Sequence, residues 1–260
     1  LCWGDSLTAE SSGVKCYPSI LAELTEAEVI NYGVVGESAQ CIAARQGGRS
    51  VFVNPVKIPA DSVQVQVRVR NSDDKREEIA MLGEAGINPC SINGIEGTLF
   101  YEASTDRHYF KRLDAGKECE LDEKTRIVTY AMQNKQKDDI LVIFSGTNNK
   151  PTPETLQDVI DEQRAMIEYA GAKKYVVIGL TTKHYIPEIE EVNDRLAAEY
   201  REHFLDIRTY MLEQGLAEEG ITPTTQDQED IKNGEIPKSL RSDAVHGNQH
   251  FYNILGRQVY

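Results

Sequence analysis

Long apolar runs are missing from this 260-residue chain. No window approaches the roughly 18 consecutive apolar residues of a membrane-spanning helix, so no span is expected within it. The start also lacks the basic, apolar and small-residue regions of a secretory leader. Residue 1 already falls in the first expected strand, so the natural chain is expected to extend upstream, and the compartment, cytoplasmic or secreted, stays open. Positive charge is scarce, with 28 Lys and Arg against 42 Asp and Glu and a formal net charge of -14. Binding to phosphates needs clustered cations to displace counterions, so neither nucleic acid nor an anionic membrane is an expected partner. Cysteine is sparse and odd in number: Cys2, Cys16, Cys41, Cys90 and Cys119 contain no C-x-x-C pair. Neither zinc nor a full disulfide framework is indicated, and one Cys90 to Cys119 bridge is the only pairing left open. Repeats and low-complexity tracts are absent.

What remains is a polar surface around 40% hydrophobic residues, enough to bury a sizeable core. Short apolar runs bounded by turn residues read as buried parallel strands at Leu1 to Trp3, Glu28 to Val34, Asp139 to Ser145, Lys174 to Leu180 and Phe204 to Ile207. Helical periodicity lies between them, over Pro153 to Ala170 behind a Thr152 cap and over Ile189 to His203. Glu188, Glu190 and Glu191 read as a solvated face. Strands alternating with helices predict an α/β class, a three-layer α/β/α doubly wound (flavodoxin-like) parallel sheet of about five strands.

Residues 47–137 break that rhythm. Val63 to Arg70 (VQVQVRVR) has the period-2 pattern of a strand with one wet face, and further short strands are expected at Cys90 to Ile92, Gly97 to Glu102, Arg107 to Arg112 and Arg126 to Tyr130. These residues form an inserted antiparallel β-rich unit between core segments 1–46 and 138–260. Its return is expected to be helical over Thr129 to Lys135. Tyr101, Tyr109 and Phe110 are read as the unit's own small core, with stacking on sugar rings as the alternative.

The chemistry starts at Gly4 Asp5 Ser6 Leu7. A serine directly after a short buried strand, on a glycine-permitted turn, can expose its hydroxyl as a nucleophile. Such a serine needs an imidazole. Among five histidines, His246 is preceded by Asp243 at three residues, close enough for the carboxylate to fix the ring tautomer and stabilise the imidazolium. His246 and His250 also have the i, i+4 spacing of a metal pair, but no Glu follows the first His as in H-E-x-x-H. Donors for a developing oxyanion are offered by two loops, Asn31 to Ala39 and Ser145 to Asn149, each with glycine at a strand end. Read separately, each is an ordinary capped turn.

Taken in order, GDSL at 4–7, N-Y-G-V-V-G-E-S at 31–38, G-T-N at 146–148 and D-x-x-H at 243–246 resemble the SGNH hydrolase superfamily, also called GDSL esterases and lipases. The likeness covers about Leu1 to Gln46 and Asp138 to Tyr260. It implies that Ser6 is the nucleophile and, through its N–H, the first oxyanion donor. It implies Gly36 as the second donor, with Gly33 serving the turn, and the Asn148 amide as the third. It implies His246 as the base and Asp243 as its orienting acid, with no metal or organic cofactor. Asn149 stands where the family commonly has aspartate and is expected to cap a helix. Trp3 is expected to pack beneath the site.

The expected activity is hydrolysis of a carboxylic ester through an acyl-enzyme, on a small-molecule or glycan ester, with acetyl esters of a carbohydrate or other polar alcohol favoured by family analogy. A thioesterase or lysophospholipase of the same mechanism is the near alternative, and a binding or adhesion module with an idle site the distant one. Specificity is expected from the polar loop Gly220 to Arg241, where Arg241 meets an anionic substrate or forms a surface salt bridge. The β unit is expected to begin on the side of the sheet away from the site, free to fold back, bind a glycan or join subunits in a homo-oligomer.

Overall fold

Five short runs, each rich in apolar residues, align side by side as parallel strands. The computed structural model describes residues 1–260, and its five-stranded sheet has the spatial order Phe204–Leu205, Tyr175–Ile178, Leu141–Phe144, Cys2–Gly4, Asn31–Gly33. The strands are shorter than the apolar runs that announced them, because the flanking residues already turn away. Register matters more than length. Gly4 lies opposite both Phe144 and Gly33, so three strands end level and deliver Asp5, Val34 and Ser145 to one carboxyl edge.

Side chains alternate across a strand, and the cores follow that rule. Trp3 joins a 19-residue cluster fed by helices Ala39–Gln46, Leu156–Ala170 and Ile189–Tyr200, whereas Cys2 joins a 16-residue cluster fed by Tyr17–Leu24, Ile207–Glu213 and Gln249–Val259. No helix is long and apolar enough to cross a membrane. The helix expected from Pro153 starts at Leu156, and Thr152 does not cap it. Instead Thr152 accepts from the Thr155 and Leu156 N–H groups, forming a separate turn ahead of the helix.

A separate antiparallel sheet occupies the middle of the chain. Its order is Val65–Val67, Arg107–Arg112, Ile95–Glu102, Cys90–Ile92, Thr125–Val128, Phe52–Val53, Val69–Arg70. The first and last members are separated only by Arg68, so the sheet curls almost onto itself. It encloses a third cluster of 15 residues, which includes Phe110 but neither Tyr101 nor Tyr109. Of the three aromatics expected in its core, only Phe110 is there. The Tyr101 hydroxyl donates to Asp106 on the surface, and Tyr109 stacks on Phe100.

The helix Ala39–Gln46 links the sheets. Ala39, Ile42 and Ala43 face the first cluster while Ala44 enters the third, which leaves a helix buried almost all round. Ser38 caps it by accepting from the Cys41 N–H, and Gly47 ends it at φ 111, a left-handed conformation. The return segment is helical, as expected, over Tyr130–Asn134 with Thr129 as its cap. All five cysteines are free thiols, so the Cys90 to Cys119 bridge is not formed. Cys90 lies in the curled sheet, and Cys119 pairs with Ile58 in a two-stranded ribbon.

Candidate active site

Asp5 builds the turn that carries Ser6. Its backbone carbonyl accepts from the Thr8 and Ala9 N–H groups, both at 3.0 Å, and its Oδ1 accepts from Leu7 N–H at 2.9 Å. Gly4 has no room for a side chain, since an added methyl would lie 2.6 Å from the Phe144 carbonyl. Gly33 is equally confined, 2.6 Å from Ala9 Cα by the same construction, so it lets the second strand approach the serine turn. Beneath lies Trp3, 1% exposed and stacked on Tyr32 at 4.2 Å between ring centroids.

Ser6 meets the histidine proposed for it. His246 Nε2 is 2.9 Å from Ser6 Oγ, and His246 Nδ1 is 2.9 Å from Asp243 Oδ2. The other carboxylate oxygen accepts from the Val245 and His246 N–H groups at 2.7 and 2.8 Å. Burial pushes the Asp243 carboxyl up, but these N–H donors and the imidazole outweigh it and hold the group down at about 2. Asp243 is therefore ionised at neutral pH, and a ring that donates Nδ1–H to it turns the Nε2 lone pair towards Ser6. The loop is fastened at both ends. Ser242 N–H and its hydroxyl bond the His246 carbonyl, and Thr182 Oγ1 donates to the Ala244 carbonyl at 2.9 Å.

The two candidate donor loops reach the same edge. Gly36 is exposed at φ +81, and neither its N–H nor that of Ser6 has an acceptor within the chain. Asn148 sits in a 3-10 turn entered through Gly146 at φ 119, and its Nδ2 donates to the Glu37 carbonyl at 2.9 Å. Asn149 does cap a helix, but not its own. Its Oδ1 accepts from Ala39 N–H at 2.8 Å and its Nδ2 donates to Gln40, so it holds the start of Ala39–Gln46 from a loop 110 residues away.

The pair beneath this loop is not legible in the sequence. Glu37 and Arg45 are 1% and 0% exposed and form a two-pronged ion pair, with Arg45 Nε 2.8 Å from Oε2. The guanidinium also donates to the carbonyls of Tyr32 and Ala85 and lies 5.3 Å from the Trp3 ring centroid. Burial raises the Glu37 carboxyl, and Arg45 pulls it back. A buried arginine cannot be read from R-Q-G-G-R alone, since helix-surface arginines look the same. The environment of Asp5 is equally hidden in the motif. Burial lifts its carboxyl to about 7 against the pull of the Leu7 N–H, and its Oδ2 and Thr147 Oγ1 are both buried without partners.

One expectation is corrected here, and others are resolved. The segment 220–241 is no simple loop; it contains the helix Thr225–Lys232 and a 3-10 turn at Lys238–Leu240, and it does not line the cavity over Ser6. That cavity, about 350 Å³, is walled instead by Glu10, Ser11, Ser12, Val14 and Val35 together with the His246 loop. The signal for them was the run of small polar residues directly after the serine turn. Arg241 pairs with Asp230 at 2.8 Å, which leaves it the structural role. His250, on the last helix, pairs with Glu219, and His246 with Ser6, so the two imidazoles do not share a site. No cluster of three or more His, Cys, Asp or Glu side chains is arranged to hold a metal ion. The β unit also returns to the site edge, because Leu82 packs beside Gly36. No family model matches the chain, and no curated protein matches it.

Proposed function

We propose that this chain is a serine hydrolase that cleaves carboxylic esters through an acyl-enzyme, in the manner of the SGNH hydrolases that its motifs resemble. The observation that carries the reading is the unbroken line from Asp243 through His246 to Ser6, with both contacts at 2.9 Å. Ser6 Oγ attacks the acyl carbonyl while His246 Nε2 takes its proton. The carbonyl oxygen becomes negative and is met by the free N–H groups of Ser6 and Gly36 and by the Asn148 amide. As the tetrahedral species collapses, His246 returns the proton to the leaving alcohol. Water then attacks the acyl-Ser6 ester by the same route, releasing the acid and restoring the hydroxyl.

Fold and cavity support the same reading. The strand order 2-1-3-4-5 fits a three-layer, doubly wound, flavodoxin-like core made from 1–46 and 138–260, with 47–137 as an insertion. Such sheets bind ligands beyond the carboxyl ends of their strands, where the Ser6 turn stands. Ser11, Ser12, Ser242 and Glu10 bring hydroxyls and a carboxylate to a wall that also carries Val14 and Val35, which suits an ester of a polar alcohol such as a carbohydrate. No cofactor is required by any step. A fluorophosphonate probe should label Ser6 in the intact protein, and Ser6→Ala should abolish both labelling and turnover of p-nitrophenyl esters while the far-UV spectrum is unchanged. Undiminished turnover by that variant would overturn the proposal.

A further inference from the structure

The insertion does more than leave and rejoin the core. Residues 80–86 lie along the loop that carries Gly36, held there by independent contacts. Arg45 Nη1 donates to the Ala85 carbonyl at 2.6 Å while Nη2 donates to the Tyr32 carbonyl at 2.9 Å, so one guanidinium joins both segments. Gly83 is pressed on Val34, where an added methyl would lie 2.7 Å from Cγ1. Gly86, at φ +76, is pressed on the Tyr32 ring at 2.9 Å by the same construction. Between these anchors, Leu82 Cδ1 comes within 3.5 Å of where a methyl on Gly36 would stand.

Leu82 and Val35 do not belong to a core. They are 58% and 60% exposed, and Tyr260 is the only large apolar side chain more exposed than Val35. Val35 lines the cavity over Ser6 and Leu82 abuts Gly36, so both flank the glycine proposed to hold the oxyanion. An ester bound there has two substituents to place. Its leaving oxygen must reach His246 Nε2 to collect a proton, which puts the alcohol at the histidine. The acyl chain is then left to the Gly36 loop, where the surface is apolar.

Resting on the serine-esterase reading, we propose that Leu82 and Val35 form the wall that receives the acyl chain, and that the insertion thereby sets acyl preference. The substrate class is an ester of a polar alcohol with a short saturated acyl group longer than acetyl, of butanoyl to hexanoyl size. Each methylene that this wall shields from water adds about fourfold to kcat/KM.

The test is the ratio of kcat/KM for p-nitrophenyl butanoate over acetate, measured on the full chain. It should exceed one in the parent protein, fall about fourfold in Leu82→Ala and in Val35→Ala, and be restored in Leu82→Met. Leu113→Ala, which alters another exposed leucine of the insertion, should leave it unmoved. A ratio that is the same in the parent and in Leu82→Ala overturns the acyl-wall assignment, with esterase activity and probe labelling of Ser6 intact. Absence of both labelling and turnover in the parent protein overturns the serine-hydrolase reading, and the wall with it.

Discussion

The side-chain amide of Asn148 donates to the backbone carbonyl of Glu37 at 2.9 Å, joining loops 111 residues apart in sequence. Glu37 follows Gly36 directly, so this bond fixes two of the three proposed oxyanion donors relative to each other. One amide hydrogen is used in the brace, and the second is free for substrate.

Asn148→Ala removes a donor and the brace together. Loss of one oxyanion donor costs roughly 10²–10³ in kcat, and the loss should fall on kcat more than on KM because the bond strengthens only as charge develops. Steady-state kinetics on a p-nitrophenyl ester checks this. A variant that raises KM alone would show that Asn148 holds the ground state instead.

Arg45 and Glu37 stabilise each other where neither can be hydrated. Arg45→Met should lower stability by about 3–5 kcal/mol, because it strands a carboxylate in the core. Arg45→Met with Glu37→Leu should recover much of that in urea unfolding while still impairing turnover, since the links to Tyr32 and Ala85 remain cut. Equal stability of the single and double variants would contradict the buried pairing.

Asp5 predicts a pH dependence of stability with a definite sign. Its folded value is raised from 3.8 to about 7, so the folded chain keeps a proton that the unfolded chain has released. The stability contributed by this group is fully present below about pH 4 and is lost as pH rises to about 7, a swing of roughly 4 kcal/mol. Asp5→Asn should therefore gain on the parent protein across that window, with Nδ2 facing Thr147. Urea midpoints at pH 4 and pH 7.5 measure it, and a constant difference between the two proteins would show that Asp5 does not hold the proton.

Thiol chemistry should separate the cysteines. Burial pushes the Cys2 and Cys41 thiols up to about 11 and Cys90 up to about 12, and Cys16 is also buried. Only Cys119 is partly open to solvent. Ellman's reagent should find one fast thiol per native chain and five after denaturation. Two fast thiols would mean that a core segment opens readily.

Much of this site could be read from residue order, and the reason is register. Four motifs follow strands or lie near the last helix, and level strand ends bring Ser6, Gly36 and Asn148 to one edge whatever the intervening chain does. Residues whose role depends on what packs over them were illegible. Arg45 looks like any polar helix residue until Trp3, Tyr32 and Ala85 surround it. Leu82 lies in A-M-L-G-E-A-G, which has no periodicity, and its place beside Gly36 depends on contacts between distant segments. The strands are shorter than their apolar runs for a related reason. Val29 approaches the sheet without joining its ladder, and Ile30 joins it only through its carbonyl, which accepts from Cys2 N–H at 2.9 Å; composition does not distinguish the two.

The strand that leads into Ser6 is first in sequence yet interior in the sheet, paired with Asn31–Gly33 on one side and Leu141–Phe144 on the other. As the chain leaves the ribosome, one edge of that strand stays unpaired until residue 144 has emerged. The imidazole arrives later still, 240 residues behind the serine. Contacts of such sequence separation close slowly and leave strand edges exposed meanwhile. Labelling of Ser6 by an activity probe is then a clock for synthesis and folding: chains stalled before residue 246 should be silent however much of the sheet they have made.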